Sequence, residues 1–268
     1  MAEANTPVDV RRQIQQRLES LRNAGIEFLP RSTVSFAALP QPETPAPVAV
    51  PSAPTQSHTV ESANTPSGAS DQRRIELQTL AQVVAKCTRC PELASTRSKT
   101  VFGIGPIDAE LCFVGEAPGA DEDRQGEPFV GAAGQMLTKI INAMGFKREE
   151  VFICNVLRCR PPGNRTPKPE EARNCWEYLE KTIDLVNPKF ICTLGIPAAH
   201  TLLGLTQPMG KMRGRFYEFR GIPVICTYHP SWLVRSPTPE NKKLVWDDMK
   251  MLLARMGRPV PEVKKGAG

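Results

Sequence analysis

The sequence predicts an α/β fold in which a central, mainly parallel four-stranded sheet lies between two layers of helices. Three observations predict it: the chain contains four short apolar runs, helical patterns separate them, and the runs are apolar at consecutive positions. Strands that are apolar on both faces are typical of a parallel sheet covered by helices on both sides. The runs are ELCFVGEA, VFICNVL, KFICTLG and IPVICTYH, which cover 110–117, 151–157, 189–195 and 222–229.

The segments between and after these runs repeat apolar residues at the spacing of an amphipathic helix. They are GAAGQMLTKIINAMG, PEEARNCWEYLEKTIDLV, IPAAHTLLG and, after the last run, TPENKKLVWDDMKMLLARMG. A further helical pattern, RRIELQTLAQVVAKC, precedes the first run, and we expect the folded domain to cover 71–258 and a flexible tail to cover 259–268. Sites in such sheets lie beyond the carboxyl ends of the strands, so GEAPGADED, NVLRCRPPGN and YHPSW are expected to converge.

The first 70 residues differ in composition from the rest of the chain. Within 1–30, PVDVRRQIQQRLESLRNA has the pattern of a short amphipathic helix, a candidate docking segment for an unidentified protein partner. Residues 31–70 are rich in Pro, Ala, Ser and Thr and contain no Lys or Arg after Arg31. This composition cannot bury enough apolar surface to fold, and it predicts a disordered linker.

Charge and hydropathy narrow the classes of function. The chain has 34 Lys/Arg and 28 Asp/Glu, of which five and seven lie in 1–72, so the remainder carries about +8. A basic domain suggests a polyanionic partner such as nucleic acid, although many basic domains only carry a solvated face. No apolar run approaches the roughly 20 residues that cross a bilayer, and no signal pattern opens the chain. We expect a cytoplasmic monomer with no membrane partner.

The eight cysteines divide into two groups by sequence context. Four lie inside the apolar runs, where a thiol packs as a small hydrophobic side chain; they are Cys112, Cys154, Cys192 and Cys226. The others fall at predicted loops or helix ends: the C-x2-C pair Cys87 and Cys90, and two single cysteines, Cys159 and Cys175. Clustered cysteines in a reducing compartment indicate metal ligands or catalytic groups rather than disulfides. One close pair with two distant cysteines fits an iron–sulfur cluster somewhat better than zinc, but spacing alone leaves both open.

Four motifs, taken together and in order, resemble one family. The C-x2-C pair, GEAPGADEDRQGEPFVGAAGQML, NVLRCRPPGNRTPKPEEARNC and HPSWLVR are similar to the family 4 uracil-DNA glycosylases over about 75–255. The resemblance implies a uracil-DNA glycosylase-like fold and a base excision repair enzyme, associated with the nucleoid, whose partner is uracil-containing DNA. Such an enzyme flips uracil out of DNA and hydrolyses the N-glycosidic bond, which leaves an abasic site. It also implies a structural [4Fe–4S] cluster held by Cys87, Cys90, Cys159 and Cys175.

The resemblance assigns roles to individual residues. Glu116 stands where other superfamily members carry a water-activating Asp or Asn, and His229 would donate to uracil O2 as negative charge develops there; these two are the catalytic candidates. The expected substrate-binding residues are Gly115, Glu116, Ala117, Phe129, Asn155 and His229. Phe129 would stack on the base, and the Asn155 amide offers one donor and one acceptor to the uracil edge. The structural alternatives are a core Phe and an Asn that caps a strand.

The same segments supply candidate DNA contacts. In HPSWLVRSP, Leu233 and Val234 are expected to wedge into the duplex, with Arg235 at a phosphate or in the vacated space. GKMRGRFYEFRG could form a solvated hairpin, but we expect phosphate contacts from Lys211, Arg213, Arg215 and Arg220. The run RCRPPGNRTPKP adds Arg158, Arg160 and Arg165 as further candidates.

Three other functions compete with hydrolysis that proceeds with turnover. A covalently crosslinking relative uses a histidine in a basic insertion, and RCRPPGNRTP contains no histidine. A non-catalytic iron–sulfur DNA-binding module would not need Phe129, Asn155 and His229 together. A Rossmann-like nucleotide enzyme would place G-x-G-x-x-G after the first strand, which is absent there.

Overall fold

A five-stranded sheet forms the centre of the residues that the computed structural model describes, 67–261. Its strands are β1 (Leu111–Gly115), β2 (Phe152–Asn155), β3 (Phe190–Leu194), β4 (Phe216–Phe219) and β5 (Ile222–Thr227). Their order is β2-β1-β3-β5-β4; β4 alone among them is antiparallel to its neighbour, and the others are parallel. The four predicted strands and their parallel pairing are confirmed. The predicted number of strands omitted β4, which extends the sheet at its edge.

Helices connect the strands in the alternation that the sequence predicts. They are α1 (Ser67–Ala85), α2 (Pro91–Thr96), α3 (Ala120–Gln125), α4 (Ala132–Ala143), α5 (Pro169–Val186), α6 (Ile196–Leu203), α7 (Met209–Met212), α8 (Pro230–Arg235) and α9 (Pro239–Arg255). Because α1 begins at Ser67, the residues 67–70 that were predicted to belong to the linker are helical. The predicted docking segment, the rest of the linker and most of the predicted tail lie outside the described residues. No helix in 67–261 is long and apolar enough to cross a membrane.

The two faces of the sheet pack against different helices, because successive strand residues point to opposite sides. On one side, Val114 of β1 packs in a cluster with Leu179 of α5. On the other side, Phe113 packs with Leu137 of α4 and Leu252 of α9. All of these side chains are fully buried. The three-layer α/β/α arrangement is therefore confirmed.

The four cysteines predicted to lie in the core do so. Each belongs to one of the parallel strands and has no solvent exposure; they are Cys112, Cys154, Cys192 and Cys226. Burial of a thiol among apolar side chains adds to the hydrophobic core, and it leaves these residues without access to a ligand from solvent.

The register of the strands brings the functional segments to one edge of the sheet. Gly115 at the end of β1 is paired with Asn155 at the end of β2. Gly195, which directly follows β3, has a φ of +92°, and a Cβ added there would lie 3.1 Å from the Cβ of His229. This glycine therefore allows the end of β3 to pass close to the segment that follows β5. The predicted convergence of the three segments is confirmed.

Candidate active site

A cavity of about 600 Å³ opens at the carboxyl ends of the parallel strands. Its wall includes five of the six predicted substrate-binding residues, which are Glu116, Ala117, Phe129, Asn155 and His229. The sixth, Gly115, lies behind them: a Cβ there would lie 2.4 Å from Asn155 Oδ1 and 2.5 Å from Phe129 Cζ. Cavities of this size hold small-molecule ligands, and only glycine leaves room here for both side chains.

Asn155 lines this cavity and carries an unsatisfied, buried polar atom. The residue is only 1% exposed, and its Oδ1 accepts no hydrogen bond from the described residues. Leaving a buried acceptor without a partner costs about 1–3 kcal/mol, so such atoms in functional sites point to a ligand. The oxygen needs a donor such as an N–H group.

Phe129 is held in position by hydrogen bonds to the backbone that follows it. Its φ is +55°, a conformation that is unfavourable for a bulky side chain. One carboxylate oxygen of Glu122 accepts from the N–H groups of Val130 at 2.9 Å and Gly131 at 3.0 Å. The Phe129 ring lies 5.6 Å from the His229 ring, with 32° between their planes. The clamp therefore fixes an aromatic face beside the imidazole.

A second set of contacts, from Arg148 and α4, holds the Phe129 loop in place. Arg148 donates to the carbonyl of Pro128 at 2.7 Å. A Cβ at Gly134 of α4 would lie 1.8 Å from the carbonyl oxygen of Phe129, so α4 packs directly on this backbone. The Phe129 loop is therefore supported on two sides.

The imidazole of His229 has a defined tautomer. Its Nδ1 accepts from the Ser231 N–H at 3.1 Å and lies 2.8 Å from the Ser231 hydroxyl. Burial, together with the nearby positive charge of Arg235, lowers the pKa of His229 to about 4. The ring is therefore neutral at pH 7, and because Nδ1 is an acceptor, its proton lies on Nε2.

Glu116 places a carboxyl group in the wall of the cavity. Burial raises the pKa of Glu116 above its usual range. A carboxylate with a raised pKa is a stronger base toward a water molecule than an exposed one. Glu116 therefore brings a titratable group with a raised pKa into the cavity wall.

The predicted wedge needs correction at one residue. Leu233 of α8 is 2% exposed and packs inward, so it is not placed to enter a duplex. Val234 is 41% exposed, and Arg235 is exposed and donates to the Ser231 hydroxyl at 3.1 Å. The helical turn of α8 sends neighbouring side chains in different directions, so Leu233 faces the core while Val234 and Arg235 face solvent.

The predicted phosphate contacts divide into exposed and internally paired side chains. Lys211 and Arg215 are exposed. Arg213 instead pairs with the buried Asp248, so it is not free for phosphates. Arg220 pairs with Asp184 and with a second carboxylate of α5.

The basic run after β2 also forms mostly internal contacts. Arg158 is 1% exposed and donates to Thr182 Oγ1 at 3.0 Å, which corrects its prediction as a phosphate contact. Arg165 pairs with Glu171, and Arg160 donates to Asn164 at 2.7 Å. These contacts shape the loop that borders the cavity.

Two features of the site have no role in the sequence-based predictions. Glu122 clamps the Phe129 loop. It is the third residue of α3, and its side chain also accepts from the Gly119 N–H at 3.1 Å, as in a capping box. This capping pattern is the signal in the sequence that points to Glu122. The aromatic pair Tyr228 and Trp232 also lines the cavity. Both residues lie in the quoted motif YHPSW, but the motif itself gives no direction for either ring.

The four cysteines outside the strands come together on the face of the sheet that α5 covers. Cys87 follows α1, Cys90 precedes α2, Cys159 follows β2 and Cys175 lies in α5. Burial raises the pKa of the Cys90, Cys159 and Cys175 thiols, and neighbouring thiols of this group raise each of them further. Arg97 donates to the Cys159 sulfur at 3.1 Å.

Comparison with known proteins agrees with this geometry. The sequence profile of the Uracil DNA glycosylase superfamily matches residues 102–250. The chain is 42% identical over 176 residues to the Type-4 uracil-DNA glycosylase of Thermotoga maritima, which is 65% of this chain and 91% of that protein. It is 40% identical over 169 residues to the Type-4 uracil-DNA glycosylase of Archaeoglobus fulgidus, 60% of this chain and 84% of that protein. A Type-5 uracil-DNA glycosylase of Pyrobaculum aerophilum is 30% identical over 181 residues, 55% of this chain and 79% of that protein. This chain therefore belongs to the type-4 uracil-DNA glycosylases of the uracil DNA glycosylase superfamily.

Proposed function

We propose that this protein removes uracil from DNA by hydrolysing the bond between the base and its deoxyribose, which leaves an abasic site. The observation that carries the proposal is the buried, unpaired Oδ1 of Asn155, a residue that lines the cavity together with Phe129 and His229. An enzyme that acts on a base must take it out of the stack and hold it in such a pocket.

Base selection follows from the Asn155 amide. Its Oδ1 would accept from uracil N3–H, and its NH2 group would donate to uracil O4. Cytosine offers an acceptor at N3 and an amine donor at C4. The Asn155 oxygen would then face another acceptor, and its NH2 group would face another donor. A buried polar site rejects such an analogue strongly, because the site's own groups stay unpaired. Phe129 would stack on either pyrimidine, so it contributes affinity rather than choice.

His229 supplies the donor for the departing base. Bond cleavage leaves negative charge on uracil, and the Nε2–H of a neutral imidazole would donate to O2 as that charge forms. The Ser231 N–H fixes this tautomer, because it occupies Nδ1. One preorganised donor of this kind is typically worth about 3–4 kcal/mol in the transition state.

Glu116 would orient the water that attacks the sugar. The transition state is a sugar oxocarbenium ion, which an adjacent carboxylate also stabilises by its charge. Because burial raises the pKa of Glu116, the rate should fall as pH decreases toward that pKa. Glu116→Gln should abolish this fall in rate at low pH, and it should slow the reaction at neutral pH.

The cysteine group fits a [4Fe–4S] cluster that ties the structure together. Within 67–261 no group of His, Cys, Asp or Glu has the arrangement of a metal-ion site. The proposal of a cluster is supported by the ligand pattern, because one close pair with two distant cysteines suits an iron–sulfur cluster better than a structural zinc site, which more often uses two close pairs. Two buried thiols, Cys159 and Cys175, two partly exposed ones, Cys87 and Cys90, and an Arg97 donor suit that group, which would join α1, α2, α5 and the segment after β2.

The function is tested by single-turnover release of uracil from a U:G duplex, with DNA affinity measured separately. We expect release from the wild-type protein, and a chemical step about 10²–10³ slower in His229→Ala with nearly unchanged affinity. Asn155→Asp should lose selectivity for uracil as well as rate. A denaturation-resistant protein–DNA adduct in place of free uracil would instead indicate covalent crosslinking. Binding without either product would indicate a non-catalytic module.

A further inference from the structure

Tyr228 and Trp232 form a stacked aromatic pair inside the cavity. Their ring centroids lie 4.1 Å apart, with 26° between the ring planes. Both residues line the same cavity as His229, and both are partly exposed. The pair thus extends the wall of the site beyond the groups assigned to uracil.

Trp232 differs in its packing from the other tryptophans of the described residues. Trp176 and Trp246 pack against the two core clusters on opposite faces of the sheet. Tyr228 packs against a third cluster, which includes Met209. Trp232 belongs to none of the three clusters; its ring stacks on Tyr228, and it lines the cavity. An indole that is partly exposed in a binding cavity is available to a ligand.

A cation suited to a phosphate stands beside the pair. Of the two arginines that line the cavity, Arg165 is occupied by Glu171. Arg235, three residues after Trp232, is exposed and donates to the neutral Ser231 hydroxyl. Its positive charge is therefore not neutralised by that partner. An aromatic face next to a free cation is the combination that binds a nucleotide.

The size of the cavity leaves room for a second base. A cavity of 600 Å³ lies in the range that encloses a drug-sized ligand, whereas uracil is a single six-membered ring. Phe129 and Asn155 account for one base only. The Tyr228 and Trp232 end of the cavity lies next to His229 in the chain, so a second base would be adjacent to the first.

We propose that Tyr228 and Trp232 form a stacking platform for the DNA base next to the flipped uracil, with Arg235 at the phosphate between them. This site rests on the proposed function, because its ligand is the neighbour of the uracil nucleotide. Stacking on an aromatic face tolerates any base, so the platform would add affinity without sequence preference.

The test uses single-stranded oligonucleotides with one uracil, whose neighbour on the 5′ or 3′ side carries thymine or is an abasic tetrahydrofuran. For the wild-type protein, removal of the neighbouring base on one side should weaken binding roughly 5- to 150-fold. Trp232→Ala should bind the thymine substrate weakly and show little further weakening when that base is removed. Trp232→Phe, which keeps an aromatic ring, should retain most of the dependence.

Equal wild-type affinity with and without the neighbouring base, on both sides, would overturn the platform. So would the same weakening for Trp232→Ala on both kinds of substrate. If Trp232→Ala does not fold, fluorescence decides: binding should quench tryptophan emission in the wild type and in Trp176→Phe, and the quench should vanish in Trp232→Phe. A full quench in Trp232→Phe overturns the proposal. Absence of uracil release from every substrate would instead contradict the proposed function.

Discussion

The guanidinium of Arg213 lies 3.0 Å from the carboxylate of Asp248, a side chain with no solvent exposure. The same carboxylate accepts from the Thr227 hydroxyl at 2.7 Å and from the Gly214 N–H at 3.1 Å. Burial raises the pKa of Asp248, while these partners favour its ionised form. Asp248 of α9 therefore binds both the segment after α7, through Arg213, and the end of β5, through Thr227, two residues before His229.

Arg213 and Arg215 should therefore behave differently although they are two residues apart. Arg213→Ala should lower the free energy of unfolding by about 3–5 kcal/mol, because it leaves a buried charge unpaired. Arg215→Ala should change stability by less than about 0.5 kcal/mol. It should reduce the slope of log affinity against log salt by about 0.9 for each phosphate that Arg215 neutralises in the wild type. Urea unfolding and DNA binding at several salt concentrations test both variants. Equal stability of the two would contradict the structural role of Arg213.

Gly115→Ala should abolish most of the activity. The added methyl group would lie 2.4 Å from Asn155 Oδ1 and 2.5 Å from the Phe129 ring, so one of these side chains must move. Overpacking of this kind typically costs about 1–3 kcal/mol and here displaces the base-binding groups. Gly210→Ala is the matched control, because nothing lies within 4 Å of its added Cβ. Single-turnover rates and unfolding free energies of both variants provide the measurement. Comparable rates for the two variants would mean that the pocket adapts.

His229 should make the stability of the protein depend on pH. Its pKa is about 4 in the folded protein, below the usual value of 6.5, because burial and Arg235 disfavour its charged form. The unfolded chain therefore binds more protons, and the stability from the neutral ring is lost as pH falls from 6.5 toward 4. The wild type should lose up to about 3 kcal/mol more than His229→Asn between about pH 7 and pH 4. Parallel curves for the two proteins in chemical unfolding would place the ring in a more polar environment.

The purified protein should be brown, with the broad visible absorbance of a thiolate-bound iron–sulfur cluster. Replacement of a cluster ligand by Ala should bleach this absorbance and lower the unfolding temperature; the ligands are Cys87, Cys90, Cys159 and Cys175. Cys154→Ala is the control, because Cys154 is buried in β2 and its replacement should leave the colour unchanged. Colourless protein with bound zinc after anaerobic purification would show that the metal assignment is wrong.

The strands that could be predicted from the sequence are those buried on both faces. Cys112, Ile153 and Cys192 all lie in runs that are continuously apolar, and all are fully buried. The edge strand β4 was not predicted, because only part of each of its side chains is covered and Glu218 is exposed. The other edge strand, β2, is buried at every position and was predicted, so the exposure of the β4 side chains, and not the place of β4 at the edge, made it resemble a solvated hairpin.

Side-chain direction explains the remaining errors at the site. The motif gave the types of residue in the basic run and in α8, but Arg158 and Leu233 turn into the core while Val234 turns to solvent. Arg158 is buried because Thr182 and the carbonyl of Phe102 accept its donors. The charge of Arg158 predicted a phosphate contact, but its hydrogen-bond donors already have acceptors inside the protein. Trp232 had no predicted role for the converse reason, since a tryptophan is by default expected in the core.

The backbone of Phe129 has a consequence for attempts to stabilise this protein. A φ of +55° favours glycine or asparagine, and an aromatic residue there is disfavoured by of order 1–3 kcal/mol. Selection for heat resistance alone would thus tend to replace the side chain that we propose stacks on the substrate base. Thermostable variants obtained without an activity screen are expected to accumulate changes at this position. At this loop, thermal stability and repair activity therefore compete, and a change that raises one is expected to lower the other.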